Sequence, residues 1–180
     1  MNWWQQVTST IVAEFSDIPS FTELTQLTLR LLLAGVLGGV LGYEREHKGK
    51  AAGMRTHMLV AMGAAMFVLI PKLAGVADTD ITRIVQWLVA GIGFLGAGTI
   101  VKGNHQDEVY GLTTAAGIWM TAAIGVAAGM GRDASAVLST VLALIVLAVL
   151  PTSASLLRKP DNSSAGDTAA EKKAEQRRET

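Results

Sequence analysis

Two short stretches hold most of the side chains able to do chemistry, YEREHKGKAAGMRTH at Tyr43–His57 and DTDITRIVQ at Asp78–Gln86. The first supplies Glu44, Arg45, Arg55, Thr56 and His57, to which Thr113 and Thr114 of GLTTAA can be added; the second supplies Asp80, Arg83 and Gln86, with Arg30 upstream. Acids, guanidiniums and hydroxyls in these patterns suit ion pairing, anion recognition or contact with a hard cation. They contain no paired nucleophile and base. Absence of cysteine excludes disulfides, thiolate metal sites and a cysteine nucleophile. His47, His57 and His105 lack the spacing of a zinc site. DTDIT matches a D-x-D-x-T phosphatase nucleophile motif, but that chemistry needs its first aspartate at the end of a buried parallel strand, and Asp78 follows an apolar segment. Enzymatic activity is not expected, nor is a nucleic-acid partner.

The elements that position these groups follow from composition. Half of the 180 residues are hydrophobic and only 17% are charged, with zero net charge, which points to lipid as the solvent. A helix crosses the hydrocarbon core in roughly 20 apolar residues. Five segments approach this: Leu24–Tyr43, His57–Ala74, Ile84–Lys102, Thr113–Met130 and Ala134–Leu150. Short connections make neighbours antiparallel. Arg45, Lys48, Lys50, Arg55, Lys102, Arg158 and Lys159 fall on one side, against Lys72, Arg83 and Arg132 on the other. The expected topology is therefore N-terminus outside and C-terminus cytoplasmic.

This gives an all-α, multi-pass membrane protein with three parts. Residues 1–19 form an outer-face segment in which Trp3, Trp4, Val7, Ile11 and Phe15 recur at helical spacing, suiting an amphipathic helix in the interface, with solvated coil as the alternative. No signal peptide is expected there. Residues 20–157 form the five-helix domain, with Ser20 and Glu23 as a capping box, Asp80 and Asp133 as caps, and Pro71 bending or ending the second helix. Residues 158–180 are too polar to fold alone and are expected to be disordered.

The run VAGIGFLGAGTIVKG carries a G-x-G-x-x-G pattern, yet it lies inside an apolar span and lacks the acid about twenty residues on that a dinucleotide site requires. Glycines in lipid let helix backbones approach. Gly91 and Gly98 would share one packing face; Gly35 with Gly39, Gly38 with Gly42, and the ladder Gly117, Thr121, Gly125, Gly129 would make others, in a tight bundle or a dimer. An alternative is a helix broken at its glycines, offering carbonyls to an ion.

Ionisable groups at membrane depth need a partner or a task. Arg30 lies about 20 Å of helix from Tyr43, so it either snorkels outward or pairs with an acid, for which Asp80 is the natural candidate by depth. Glu44 and Glu46 stand where the helix dipole favours cations and need compensation from Arg45, Arg55 or a neighbouring helix. The stretch serves either as positive-inside anchoring or as an ion-pair cluster that binds a partner, a lipid headgroup or an ion. Thr113 and Thr114 open the fourth helix, where one is expected to cap it and the other to face the cluster.

The blocks RLLLAGVLGGVLGYERE, AGMRTHMLVAMGAAMF, DITRIVQWLVAGIGFLGAGTI and GLTTAAGIWMTAAIGVAAGMG, in this order, resemble the MgtC/SapB family of bacterial inner-membrane proteins. The resemblance runs from about Arg30 to Gly131. It implies a five-helix domain, adaptation to magnesium limitation and to acid or intracellular conditions in a virulence-associated family, and control of membrane energetics through a membrane complex, with the ATP synthase or a transporter as candidates. Mg2+ is the ion it suggests, without establishing transport. The polar family positions map onto Arg30, Glu44, Arg45, Arg55, Thr56, His57, Asp80, Arg83, Gln86, Thr113 and Thr114. Ile81 departs from the family, where proline is common. Longer members continue into a cytoplasmic C-terminal domain, whereas this sequence ends at a short charged tail.

Overall fold

Ser20 opens the first long helix: its Oγ accepts the Glu23 N–H at 3.1 Å, satisfying one of the donors a helix start leaves free. The structure, a computed structural model, describes residues 2–14, 20–102 and 109–149. Phe15, His105, Leu150 and the tail 158–180 lie outside the described residues. The elements are α1 (Trp3–Glu14), α2 (Phe21–His47), α3 (Met54–Leu73), α4 (Asp78–Ala97), β1 (Val101–Lys102), β2 (Val109–Tyr110), α5 (Leu112–Gly129) and α6 (Asp133–Val149). Among the described residues the regular structure is helical apart from β1 and β2, which pair antiparallel as Val101 with Tyr110 and Lys102 with Val109. Among the described residues, four helices, α2 to α5, are long and apolar enough to cross a bilayer, and α6 is apolar but shorter.

Several boundaries differ from expectation. α2 runs past Tyr43 to His47, so Glu44, Arg45 and Glu46 lie on its last turn and not in a connection. The third span, expected over Ile84–Lys102, is a helix from Asp78 to Ala97 followed by the strand pair. Asp80 does not cap it. The cap is Ala77, in extended conformation, whose carbonyl accepts from Asp80 and Ile81 at 2.9 and 3.1 Å. Ile81 thus supplies an N–H that proline would lack, and its side chain is buried. Asp133 is the first helical residue of α6, and the Arg132 carbonyl is the group that accepts, from Ala136 at 2.9 Å. Pro71 lies within α3, which continues to Leu73.

α2, α3 and α5 stop in one way. Gly49, Gly75 and Gly131 take positive φ just past each end, and the next residue donates back to Arg45, Pro71 and Ala127 respectively.

Close glycine contacts join these same three helices. A Cβ on Gly38 would stand 2.6 Å from the His57 carbonyl oxygen, and one on Gly42 2.5 Å from Met54 Cα, so α2 and α3 cross backbone to backbone, antiparallel. Gly35 and Gly39 face the flexible ends of Met62 and Met58. On α5, Gly125 abuts Ala61 and Gly129 abuts Ala65, so α5 runs parallel to α3. Ala34, Leu37, Leu41, Ala61, Ala65, Ile124, Ala128 and Ala136 form the core of the resulting seam.

α4 docks differently, through Ile81, Leu88, Ile92 and Gly96, which lie on one helical face at steps of seven, four and four residues. Gly91 meets nothing within 4 Å and Gly98 meets only carbonyls of its own helix, so neither makes the expected packing face within the chain. They lie off the docking face, where Gly96 alone opposes another helix, at Ala115. The G-x-G-x-x-G run lies within α4 as continuous helix up to its C-cap.

Candidate charged site at the α2–α3 turn

Glu44, on the last turn of α2, has both oxygens engaged. Oε2 accepts from Arg45 Nε, while Oε1 accepts from Arg45 Nη2 at 2.9 Å and pairs with Lys48 Nζ at 2.7 Å. Arg45 is only 2% exposed, so its charge is neutralised by a bidentate pair away from water. The i, i+4 spacing brings in Lys48, whose ammonium also donates to the Leu147 carbonyl at 2.7 Å and ties the far end of α6 to α2. Glu46 reaches across the turn, where its Oε2 accepts the Met54 N–H at 2.8 Å and places an anion at the N-terminus of α3. Gly53 makes room for it, since a Cβ there would stand 2.6 Å from that oxygen.

The other predicted members divide by burial. His57 is fully buried, with Nδ1 3.0 Å from the Gly53 carbonyl oxygen, and Thr114 is buried one turn before Gly117. Arg55, Thr56 and Thr113 are exposed. Arg55 has no ion-pair partner among the described residues, so Arg45 and Lys48 supply the compensation for Glu44. With Glu46, Lys50, Ala51 and Gly53, the exposed Arg55 and Thr56 line an open polar depression. Neither threonine caps α5. The N-cap is Gly111 at φ +92°, packed so closely on the Thr99 carbonyl that no side chain fits.

At the opposite end, the expected Arg30–Asp80 pair does not form. Arg30 Nη1 donates to the Gly129 carbonyl at 3.3 Å and Lys72 Nζ to the Met130 carbonyl at 3.1 Å. Both cations thus serve the unsatisfied C-terminus of α5, where the helix dipole is negative. Asp80 and Arg83 approach each other at 4.0 Å and are well exposed, as is Gln86.

Lys48, Glu46, Lys72 and Gly53 take part in these contacts without having stood among the candidate site residues. Of these, Glu46 had stood out as an acid in need of compensation, and Lys48 lies four residues after Glu44. No group of three or more His, Cys, Asp or Glu side chains is gathered for a metal ion among the described residues. The two carboxylates at the turn are occupied by Arg45, Lys48 and the Met54 amide, an arrangement that does not match a Mg2+ site.

Residues 31–156 match the model of the MgtC family. "Putative magnesium transporter YhiD" of Escherichia coli (strain K12) is 42% identical over 132 residues, covering 69% of this chain and 60% of that protein. Protein SrpB of Synechococcus elongatus is 44% identical over 132 residues, covering 67% of this chain and 72% of SrpB. Protein MgtC of Brucella abortus is 46% identical over 120 residues, covering 66% of this chain and 49% of MgtC. The chain therefore spans about half of the length of MgtC and three fifths of YhiD. No solved structure matches. With the family model covering most of the sequence, this multi-helix membrane chain belongs to the MgtC family.

Proposed function

We propose that the chain is a non-catalytic regulator in the bacterial inner membrane, N-terminus outside, supporting growth in scarce magnesium and membrane energetics by engaging another membrane complex. The observation that carries this reading is the division of labour at the α2–α3 turn. Glu44, Arg45, Lys48 and Glu46 satisfy one another and the helix ends, while Lys50, Arg55 and Thr56 face outward around a polar depression. An inward-satisfied, outward-charged end suits docking, and the alanine–glycine seam behind it favours rigidity over passage.

The test is growth of a strain that depends on this chain in low magnesium. Arg55→Ala should impair growth while membrane levels of the protein stay normal, and Glu44→Gln should do so to a lesser extent. Normal growth with both would make the turn structural only. Co-purification in mild detergent should recover a partner that Arg55→Ala loses.

A cation-carrier reading is favoured by the name of the YhiD relative. Proteoliposomes decide it: magnesium entry abolished by Asp80→Asn would support the carrier, and no flux from correctly folded protein would exclude it.

A further inference from the structure

One buried polar side-chain atom is left without a hydrogen-bond partner among the described residues, His57 Nε2. The Gly53 carbonyl can only accept, so Nδ1 carries the ring proton and Nε2 presents a bare lone pair to the interior. The residue is enclosed by glycines of two helices. Gly38 and Gly42 of α2 press on its backbone and Cβ, and Gly117 of α5 faces Nε2, where a Cβ would stand 3.5 Å away.

The charges around it are few. α2 contributes Glu44 and Arg45, with Lys48 on the same carboxylate, and Glu46, whose carboxylate holds the Met54 N–H beside Gly53. α3 itself contributes the exposed Arg55. α5 has no ionisable residue, and its Thr121 hydroxyl, which donates to the Gly117 carbonyl at 2.8 Å, is not within hydrogen-bond reach of Nε2. α4 carries its ionisable groups, Asp78, Asp80 and Arg83, in its first six residues, at the far end of α3. The connection 103–108 lies outside the described residues.

We propose that His57 is a proton-binding site whose occupation loosens α5 from the α2–α3 pair. A proton on Nε2 creates a buried N–H with no acceptor within reach and a further cation near Arg45, where Glu44 is already shared by two cations and Glu46 is held by the Met54 N–H. Both consequences are costly in a closed interior. Glycines on the opposing helices offer no side chain that could rotate to accept the proton. Relief comes when α5 withdraws and water enters. The packed arrangement then binds fewer protons than the loosened one, so acidification favours loosening and a rise in pH restores the seam.

The absence of cysteine makes a direct test possible. In the full chain in lipid nanodiscs, the maleimide labelling rate of Thr114→Cys, a buried position, is divided by that of Thr113→Cys, an exposed neighbour, which cancels the pH dependence of the thiol. The ratio should rise by up to about tenfold per pH unit on acidification through the imidazole range, and stay flat with His57→Gln. A flat ratio with His57 present, or the same rise in His57→Gln, would overturn the proposal. A second measurement does not rely on replacing the residue. In a His47→Gln/His105→Gln chain, 15N NMR should show the Nδ1–H ring becoming doubly protonated at the midpoint of the labelling change. A ring that stays neutral until the protein unfolds would overturn the proposal as well.

Discussion

α4 and α5 are of similar length and both rich in glycine, yet they use it in opposite ways. α5 turns Gly117, Gly125 and Gly129 onto α3 and buries half of its 18-residue apolar stretch, whereas α4 buries only 17% of its own. α4 leaves Gly91 and Gly93 open and presents Trp87 and Phe94, about 80% exposed, to the surroundings. The difference lies in what stands opposite. α3 offers Ala61 and Ala65 to the α5 ladder, small residues that let two backbones touch. α4 meets its neighbours instead through Ile81, Leu88 and Ile92, whose side chains hold the helices apart. A glycine in a membrane helix marks the closest approach only where it faces a neighbouring backbone, as Gly125 faces Ala61 and Gly38 faces His57.

The sharpest way to break this comparison is to overfill the seam. Gly38→Val, set against the His57 carbonyl and Ala61 Cβ, should lose on the order of 3 kcal/mol and leave little monodisperse protein in detergent. Gly93→Val, facing open space, should leave the elution profile unchanged. Next in size is Arg45→Met, which leaves Glu44 without its buried partner and should cost about 3 kcal/mol or somewhat less, read as a drop in the thermal midpoint. Arg30→Met removes one of the two donors to the α5 terminus and should cost about 1 kcal/mol. Its effect should concentrate in faster hydrogen exchange of the last turn of α5, while α4 exchange stays as it was.

The helices were legible in the sequence because apolar length and charge spacing are local properties, and the Ser20–Glu23 contact followed from a pair three residues apart. The glycine faces were legible only as possibilities. Nothing in α4 alone says that Gly91 faces away from α5 and Gly96 toward it. The wrong pairing of Arg30 with Asp80 has the same origin. Depth made them compatible, but the competing acceptor was the C-terminus of a helix whose last residue lies 99 positions on. Glu46 on Met54 and Lys48 on Leu147 were hidden for a related reason, since both depend on where a helix ends. His57 was recognisable as a polar residue near the charged turn. Its complete burial arises from Gly38, Gly42 and Gly117, contributed by two other helices.

The contrast between the two helices is tested most directly by adding one methyl group to each. Thermal unfolding of Gly125→Ala and Gly91→Ala should move in opposite directions from the unsubstituted chain. Gly125→Ala, forced against the Ala61 carbonyl, should fall by about 2 kcal/mol, and Gly91→Ala, with space around it and better helix propensity, should hold or gain up to about 1 kcal/mol. Equal losses at both positions would contradict the account, because Gly91 would then be packed as tightly as Gly125.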